Sequence, residues 1–248
     1  MAAAGATAFA MRMSWRRNFY VLWAAQLVAI VGFQAIQPFL PYYIQQFAVA
    51  DLDEALIWAG RMGTGAGLAM AVSAPVWGSL ADRFGRKAMV VRSMLGGGLT
   101  VAVMAYVTSL EQLLVARTLQ GALAGTVAAT TTLVCTTTPR QHLGYALGLM
   151  QGAVMLGSSV GPLFGGPLIE LVGYKICFVV SGVLVTLAGV VVHLWVREDF
   201  VAAVPTVRGR GPVAAGSSLL TDALGMLRRG PFLSMVVSLS LIQFAFGF

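Results

Sequence analysis

The chain alternates between long uncharged runs and short charged segments. Stretches free of Asp, Glu, Lys and Arg cover seven regions: 18–50, 62–81, 93–110, 118–139, 141–169, 176–196 and 230–248. A helix needs about 20 apolar residues to cross the hydrocarbon core of a bilayer. The pattern therefore predicts six complete transmembrane helices and the start of a seventh. The first and fifth runs are longer than one span, so each must also include loop residues.

Composition supports membrane insertion, and the pattern supports helices over strands. Hydrophobic residues make up 58% of the chain, against about 45–50% in ordinary soluble proteins. Only helices and closed barrels pair all their backbone groups inside lipid. A barrel would show short segments of alternating polarity, and none occur. We therefore expect an all-α membrane protein.

The distribution of positive charge predicts how the spans are oriented. Thirteen of the 16 Lys and Arg residues fall on one side of the predicted spans: Arg12, Arg16, Arg17, Arg83, Arg86, Lys87, Arg92, Arg140, Arg197, Arg208, Arg210, Arg228 and Arg229. Because loops rich in Lys and Arg stay in the cytoplasm, both ends of the six-span unit are predicted to be cytoplasmic. The net charge of +7 thus reflects orientation and contact with anionic lipid. We expect no nucleic-acid partner.

These patterns divide the chain into four segments. They are a cytoplasmic leader over 1–17, a six-span bundle over 18–196, a cytoplasmic central loop over 197–230 and a truncated seventh span over 231–248. The first ten residues are apolar but too short to span, and they lack the order of a cleaved signal peptide. We expect this leader to be disordered.

The most concentrated polarity in the chain lies between the second and third predicted spans. The sequence there is Gly78-Ser-Leu-Ala-Asp-Arg-Phe-Gly-Arg-Lys87, which places four charged residues within six positions. Only 10% of the whole chain is charged. Such a segment is typical of a tight cytoplasmic turn between two transmembrane helices, and we refer to it as the 78–87 loop.

A few polar residues fall inside the predicted spans. Gln34 and Gln37, three positions apart, can share one face of the first span. That face either lines a cavity, which we favour, or hydrogen-bonds a neighbouring helix. Arg117 lies within the fourth span, where a charge is costly unless it faces protein or water. Its compensation must come from Gln120 one turn away, backbone carbonyls, water or an acid from elsewhere.

Glycines recur at helical spacing in two of the spans. In lipid, small residues allow helices to approach one another closely. We therefore predict close packing at Gly60, Gly63, Gly65 and Gly67 in the second span. In the fifth span, Gly157, Gly161 and Gly165 form one smooth ridge and Gly144, Gly148 and Gly152 form a similar one upstream. With two prolines, these ridges indicate a bent helix that either has a close partner or is flexible. The prolines Pro38 and Pro41 should kink the outer end of the first span.

Three of these features resemble signatures of the major facilitator superfamily. The loop matches Gly-x-x-x-Asp-Arg-x-Gly-Arg-Lys through Gly78, Asp82, Arg83, Gly85, Arg86 and Lys87. The fourth span matches the Arg-x-x-Gln-Gly pattern of proton-coupled members through Arg117, Gln120 and Gly121. The fifth span resembles the antiporter signature through Gly157, Gly161, Pro162, Gly165 and Gly166. Together with Trp-Arg-Arg-Asn-Phe-Tyr at 15–20 and Pro-Phe-Leu-Pro at 38–41, the likeness is to twelve-span drug:proton antiporters, the bacterial multidrug-resistance efflux proteins.

The resemblance implies the N-terminal half of such a transporter, a six-helix bundle plus the start of a seventh helix. In that fold a midplane cavity between two bundles gives alternating access. It also implies roles: the 78–87 loop would act in conformational switching and Arg117, Gln120 and Gly121 in proton coupling. The expected partners are a small-molecule substrate, protons, the bilayer of the cell membrane and the missing C-terminal half. No enzyme activity, cofactor or metal is expected.

Two alternatives remain open at this stage. One is an importer or facilitator of a small metabolite, against which the fifth-span signature argues. The other is a six-span subunit that does not itself transport. A membrane-embedded enzyme is disfavoured, because His142 and His193 both lie toward the cytoplasmic side and no carboxylate pair accompanies either. The six spans also hold no mid-membrane acid. The group that carries the proton therefore lies in the missing half, or coupling works differently.

Overall fold

The computed structural model describes residues 2–47, 49 and 51–198, with side chains from Trp15 onward. All regular structure within these residues is helical, as predicted. The remainder of the expected central loop (199–230) and the expected seventh span (231–248) lie outside the described residues.

The described part of the chain contains seven α-helices, joined by short loops and single 3-10 turns. They are α1 (Ala2–Gln34), α2 (Leu40–Ile44), α3 (Leu52–Phe84), α4 (Arg86–Val103), α5 (Leu110–Leu123), α6 (Thr126–Thr137) and α7 (Leu143–Trp195). The 3-10 turns cover Gln37–Phe39, Gln45–Phe47, Met104–Tyr106 and Arg140–His142. The first predicted span corresponds to α1 and α2, the second to α3, and the third to α4. The fourth is divided into α5 and α6.

The fifth and sixth spans form one continuous helical stretch, α7, of 53 residues. At 1.5 Å per residue it would be about 80 Å long, far more than the roughly 30 Å of a bilayer core. Gly173 interrupts it with φ 81° and ψ 170°, a backbone conformation that favours glycine. The stretch is therefore two helices that meet at Gly173. Pro162 and Pro167 lie inside the first of them.

Four stretches are long and apolar enough to cross a membrane: Trp15–Phe47, Arg86–Tyr106, Leu110–Thr137 and Arg140–Trp195. The predicted second span, α3, is long enough at 33 residues but is not among them. Its glycines and serines lower its hydropathy. Its buried residues are Ala55 and Met62, so α3 lies at the edge of the described bundle.

The sequence predicted a disordered leader before the first span and a kink at the outer end of that span, and the two predictions have different outcomes. Helix α1 begins at Ala2, so the prediction of a disordered leader was wrong. Its alanines and methionines favour helix, and no proline interrupts them. The predicted kink at the other end is confirmed, because α1 ends at Gln34 and Pro38 and Pro41 open two short helical turns.

Helix α1 packs along α7, and α4 packs against α7 from another side. The core between them includes Phe19, Leu22 and Val185. At one end, the Asn18 side chain donates a hydrogen bond to the Arg197 carbonyl over 2.7 Å. We call this the basic end, because it carries the 78–87 loop, Arg140 and Arg197. At the other end, the buried Tyr43 hydroxyl donates to the carbonyl of Met104 over 3.0 Å.

Candidate functional site

The centre of the candidate site is Arg117, which α5 carries two turns after its start at Leu110. The side chain is buried, with 9% of its surface exposed. Its Nη1 donates to the Gln120 Oε1 over 3.0 Å and to the Gln37 Oε1 over 3.2 Å. Its Nε is also buried and has no hydrogen-bond partner among the described residues. Two neutral amides therefore position this guanidinium.

No acid is buried near that charge within the described residues. The carboxylates of the described segment are exposed or half-buried: Asp51, Asp53, Glu54, Asp82, Glu111, Glu170 and Glu198. Amide oxygens can hold a guanidinium in place by hydrogen bonds, but they leave its positive charge uncompensated. The buried arginine thus keeps its full charge available to whatever enters the space beside it.

That space is a cavity of about 350 Å³ bordered by α1, α3, α5 and the start of α6. It brings together every residue that the sequence assigned to the substrate cavity or to proton coupling: Gln34, Gln37, Arg117, Gln120 and Gly121. Gln37 both lines the cavity and bonds Arg117 on another helix, and its contact with substrate stays a prediction. Gln34 lines the cavity at the point where α1 meets α7.

Gly121, which lines this cavity, also allows α3 and α5 to pack closely together. A Cβ at Gly121 would clash with the backbone of Ala66 on α3. Nearby, a Cβ at Gly65 would lie 3.1 Å from the Thr118 Oγ1. The two helices therefore cross in close contact beside Arg117, which fixes the depth of α3 against α5.

The fifth-span glycines form the predicted ridge, and it faces α1. A Cβ at Gly157 would lie 2.7 Å from the Ile30 Cγ2, and one at Gly161 would lie 2.6 Å from the Gln34 Cβ. A Cβ at Gly165 would clash with the backbone of Ala35. Pro162 is half-buried, and Gly166 lies near the Phe39 ring, 3.3 Å from a built Cβ. The antiporter motif thus lies directly behind the cavity glutamines.

The other two glycine sets do not pack in this way. No described residue lies within 4 Å of a Cβ built at Gly144, Gly148 or Gly152, and the same holds at Gly60, Gly63 and Gly67. Within the described residues, the prediction of close packing was therefore wrong at Gly60, Gly63 and Gly67, and the ridge of Gly144, Gly148 and Gly152 has no close partner. Gly63 and Gly67 line the Arg117 cavity instead. Helical spacing identifies a smooth face, but it cannot say whether a neighbour covers that face.

The 78–87 loop forms the turn between α3 and α4 at the basic end. Gly85 has φ 93° and ψ 154°, which explains why the turn needs glycine. The Glu198 carboxylate accepts hydrogen bonds from the backbone N–H groups of Arg86 and Lys87, over 3.1 and 2.8 Å. Asp82 and Arg83 are exposed. The end of the sixth span therefore holds the start of α4.

The 78–87 loop and Arg117 line two separate cavities, and these cavities are adjacent at the break between α5 and α6. Gly78, Asp82 and Arg86 line a second cavity, of about 400 Å³. Three residues line both cavities: Met70, Ala124 and Gly125. Ala124 and Gly125 form the break between α5 and α6.

Comparison with known proteins places this bundle in a family. The sequence matches the family description "Major Facilitator Superfamily" over residues 22–248, most of the chain. The chain belongs to the major facilitator superfamily. The fold and the three signatures predicted from the sequence agree with this membership, and superfamily proteins of this kind are multi-pass membrane proteins.

Two relatives within the superfamily carry a common name. The multidrug resistance protein MdtG of Proteus mirabilis (strain HI4320) is 34% identical over 187 residues, which cover 75% of this chain and 46% of the relative. MdtG of Escherichia fergusonii is 32% identical over 237 residues, which cover 95% of this chain and 56% of the relative. The chain therefore spans about half the length of the curated relatives that it matches.

Solved structures share the fold at lower sequence identity. The crystal structure of the human organic anion transporter MFSD10 (TETRAN) aligns with a TM-score of 0.69 at 18% identity, covering 81% of this chain and 52% of that one. The POT family transporter PepTSo aligns with a TM-score of 0.67 at 15% identity, covering 87% and 48%. At these identities the likeness concerns the fold alone.

The division of the fourth span is a feature of this bundle that the sequence pattern did not predict. The uncharged run over 118–139 predicted one unbroken fourth span, but that span is divided into α5 and α6 at Ala124–Gly125. Trp77 and Arg92 contact that break, and the sequence had assigned Arg92 to orientation alone. The available signal was Gly125 within the span, since glycine at such a position can adopt a left-handed conformation.

Proposed function

We propose that the complete protein, of which this chain forms about half, is a secondary active transporter that exports small organic compounds by proton antiport with alternating access. It is a transporter and not an enzyme. It lies in the cell's inner or plasma membrane with a cytoplasmic N-terminus, and the C-terminal six-span half supplies the other wall of the substrate path. The MdtG relatives, named multidrug resistance proteins, support export of drugs as the activity.

The observation that carries the proposal is the buried, uncompensated charge of Arg117 in a cavity lined with amides. A guanidinium stays protonated at any physiological pH, so it cannot itself carry the proton. It can stabilise the ionised form of a carboxylate brought beside it. We place that carboxylate in the C-terminal half, because the described spans offer none at this depth.

Export then follows from competition at one cavity. When the partner carboxylate is ionised it is attracted to Arg117, and when it is protonated that attraction is lost. The free energy of the cavity closed around Arg117 therefore depends on proton binding. For antiport, the drug must be held while the carboxylate is ionised and paired with Arg117, and protonation of the carboxylate must release it. Drug and proton then exclude each other from the cavity.

The 78–87 loop is proposed to govern the change between the inward- and outward-facing states. Asp82 is exposed and lines the second cavity at the basic end, so its carboxylate is free to meet another helix. A carboxylate near a helix N-terminus gains about 0.3–1 kcal/mol, and up to about 2 where partly buried. We assign that helix to the C-terminal half.

The test is transport by the complete protein in liposomes under an imposed proton gradient. We expect drug flux against the proton flux in the wild type, partial coupling in Arg117→Lys and no pH dependence in Arg117→Ala. Lys keeps the charge but loses the planar guanidinium. The matched control is Arg61→Ala, because Arg61 is exposed and lies over the Trp58 ring with 5.1 Å to the centroid.

Three outcomes contradict the proposal. Uptake of substrate together with protons would show an importer. Export by Arg117→Ala with the wild-type pH dependence would make Arg117 structural. Absence of any flux from the complete, folded protein would favour a subunit that does not transport.

A further inference from the structure

The break in the fourth span leaves three backbone carbonyls without helical partners. In an unbroken helix the carbonyls of Ala122, Leu123 and Ala124 would accept from the N–H groups four residues later. Here α5 ends at Leu123, Gly125 adopts φ 108°, and α6 starts at Thr126. Unpaired backbone groups within a bilayer cost several kcal/mol each, so a break at this depth requires other donors.

Two side chains supply a donor to each of the three carbonyls. The Trp77 Nε1 donates to the carbonyl of Ala122 over 2.7 Å. The Arg92 Nη1 lies 3.2 Å from the carbonyl of Leu123, and its Nη2 lies 3.5 Å from that of Ala124. A positive charge at the C-terminal end of a helix such as α5 also interacts favourably with the helix dipole.

The two side chains also hold each other. The guanidinium carbon of Arg92 lies 3.6 Å from the centroid of the Trp77 ring, well within cation–π range. Both residues line the second cavity. We call this pair the clamp. Its donors form a planar set that neither Lys nor Phe could reproduce, since Lys has a single ammonium and Phe has no donor.

The clamp connects the two helices of the 78–87 loop to the segment that carries Arg117. Trp77 is the residue before Gly78 on α3, and Arg92 lies on α4, six residues after Arg86. The carbonyls that they hold follow directly after Gln120 and Gly121 on α5. A displacement of the loop helices would therefore pull on the end of α5, one to two turns from Arg117.

We propose that Trp77 and Arg92 are positioning residues that hold the break in the fourth span and transmit the movement of the 78–87 loop to the Arg117 cavity. This role rests on the proposed transport function. At the break, side-chain donors replace three helical hydrogen bonds, so the strength of the clamp would set how far the span can bend there. Loss of the clamp should slow the conformational step more than it weakens substrate binding.

The experiment uses the complete protein in lipid nanodiscs and liposomes. The variants are Arg92→Lys, Arg92→Gln and Trp77→Phe, with Arg140→Lys and Trp195→Phe as matched controls, since Arg140 and Trp195 are both exposed. The first measurement is amide hydrogen exchange in the peptide over 118–130. We expect exchange about tenfold faster in Arg92→Gln and Trp77→Phe, the effect of losing a charge-assisted or buried hydrogen bond. Peptides from α1 should be unchanged.

The second measurement is the rate of drug export per folded molecule. For Arg92→Lys we expect the maximal export rate to fall about fivefold or more, while the KM for drug stays within about twofold. The reason is that an interaction which serves only the conformational step affects turnover and leaves drug binding nearly unchanged. Arg92→Lys keeps the charge that directs membrane insertion. If Arg92→Gln does not fold, the export rate of Arg92→Lys still tests the proposal.

Each outcome decides a part of the inference. Unchanged exchange over 118–130 would show that the clamp does not hold the break, and would overturn the proposal. Faster exchange with a normal export rate would show a structural cap without a role in the cycle, which also overturns it. A wild-type protein that does not export would remove the proposed function and the transport role together, while the exchange data would still decide whether the clamp exists.

Discussion

Replacing Gly161 by Ala tests whether the fifth-span ridge holds α7 against α1. A Cβ at this position would lie 2.6 Å from the Gln34 Cβ, 3.0 Å from the Gln34 carbonyl carbon and 3.1 Å from the Val31 carbonyl oxygen. Carbon atoms in good contact are about 3.5–4.0 Å apart. Helix α1 would therefore have to move by about 1 Å, and it would carry the cavity residue Gln34 with it.

The expected loss of stability is the cost of overpacking, about 1–3 kcal/mol. A gain opposes it, because Ala favours helix over Gly by about 0.8–1.0 kcal/mol. Gly148→Ala provides the matched control. Gly148 lies on the same helix, is exposed, and has no described residue within 4 Å of a built Cβ. Both variants receive the helix-propensity gain, so the difference between them isolates the clash.

The assay is thermal unfolding of the purified complete protein, with export measured in parallel. In a protein about twice the length of this chain, a clash of about 1–3 kcal/mol corresponds to a midpoint about 1–6 °C lower for Gly161→Ala than for Gly148→Ala. Gly161→Leu should abolish export, and Gly148→Leu should retain it. Equal midpoints for the two Ala variants, or normal export by Gly161→Leu, would refute the conclusion that the ridge packs on α1.

Three further predictions concern the basic end and the chain itself. In the complete protein, Asp82→Asn should slow export several-fold with drug affinity unchanged in a binding titration, whereas weaker binding with normal turnover would contradict the switching role. Glu198→Ala removes the acceptor for the N–H groups of Arg86 and Lys87 and should lower stability by about 0.5–2 kcal/mol; an unchanged unfolding midpoint would argue against this cap. Residues 1–248 alone in liposomes should not transport, because one bundle provides one wall of the cavity, and proton-driven flux from a demonstrated monomer would disprove this.

The sequence by itself determined the helical class, the approximate spans and the chemistry of the candidate site. These follow from local requirements. Each crossing segment must be apolar and must satisfy its own backbone hydrogen bonds in lipid, so an uncharged run reads directly as a helix. The contact between Arg117 and Gln120 could also be predicted from the sequence, since residues three apart on a helix are neighbours.

Tertiary structure alone decided which helices meet. Gln37, the second partner of Arg117, lies 80 residues away in sequence. Two glycine sets have the same four-residue spacing, yet Gly157, Gly161 and Gly165 contact α1, while Gly144, Gly148 and Gly152 face no neighbour among the described residues. The contacts of a helical face depend on the rotation and depth of both helices. Those are set by the fit of many side chains at once and leave no periodic signal in either helix.

The break in the fourth span shows most clearly which properties are local to the sequence and which depend on the tertiary structure. Gly125 permits the left-handed conformation, and that property is local. Whether a span actually breaks there depends on donors for the freed carbonyls of Ala122, Leu123 and Ala124. Those donors, Trp77 and Arg92, come from two other helices, and a backbone break in lipid is tolerated only where neighbours satisfy it.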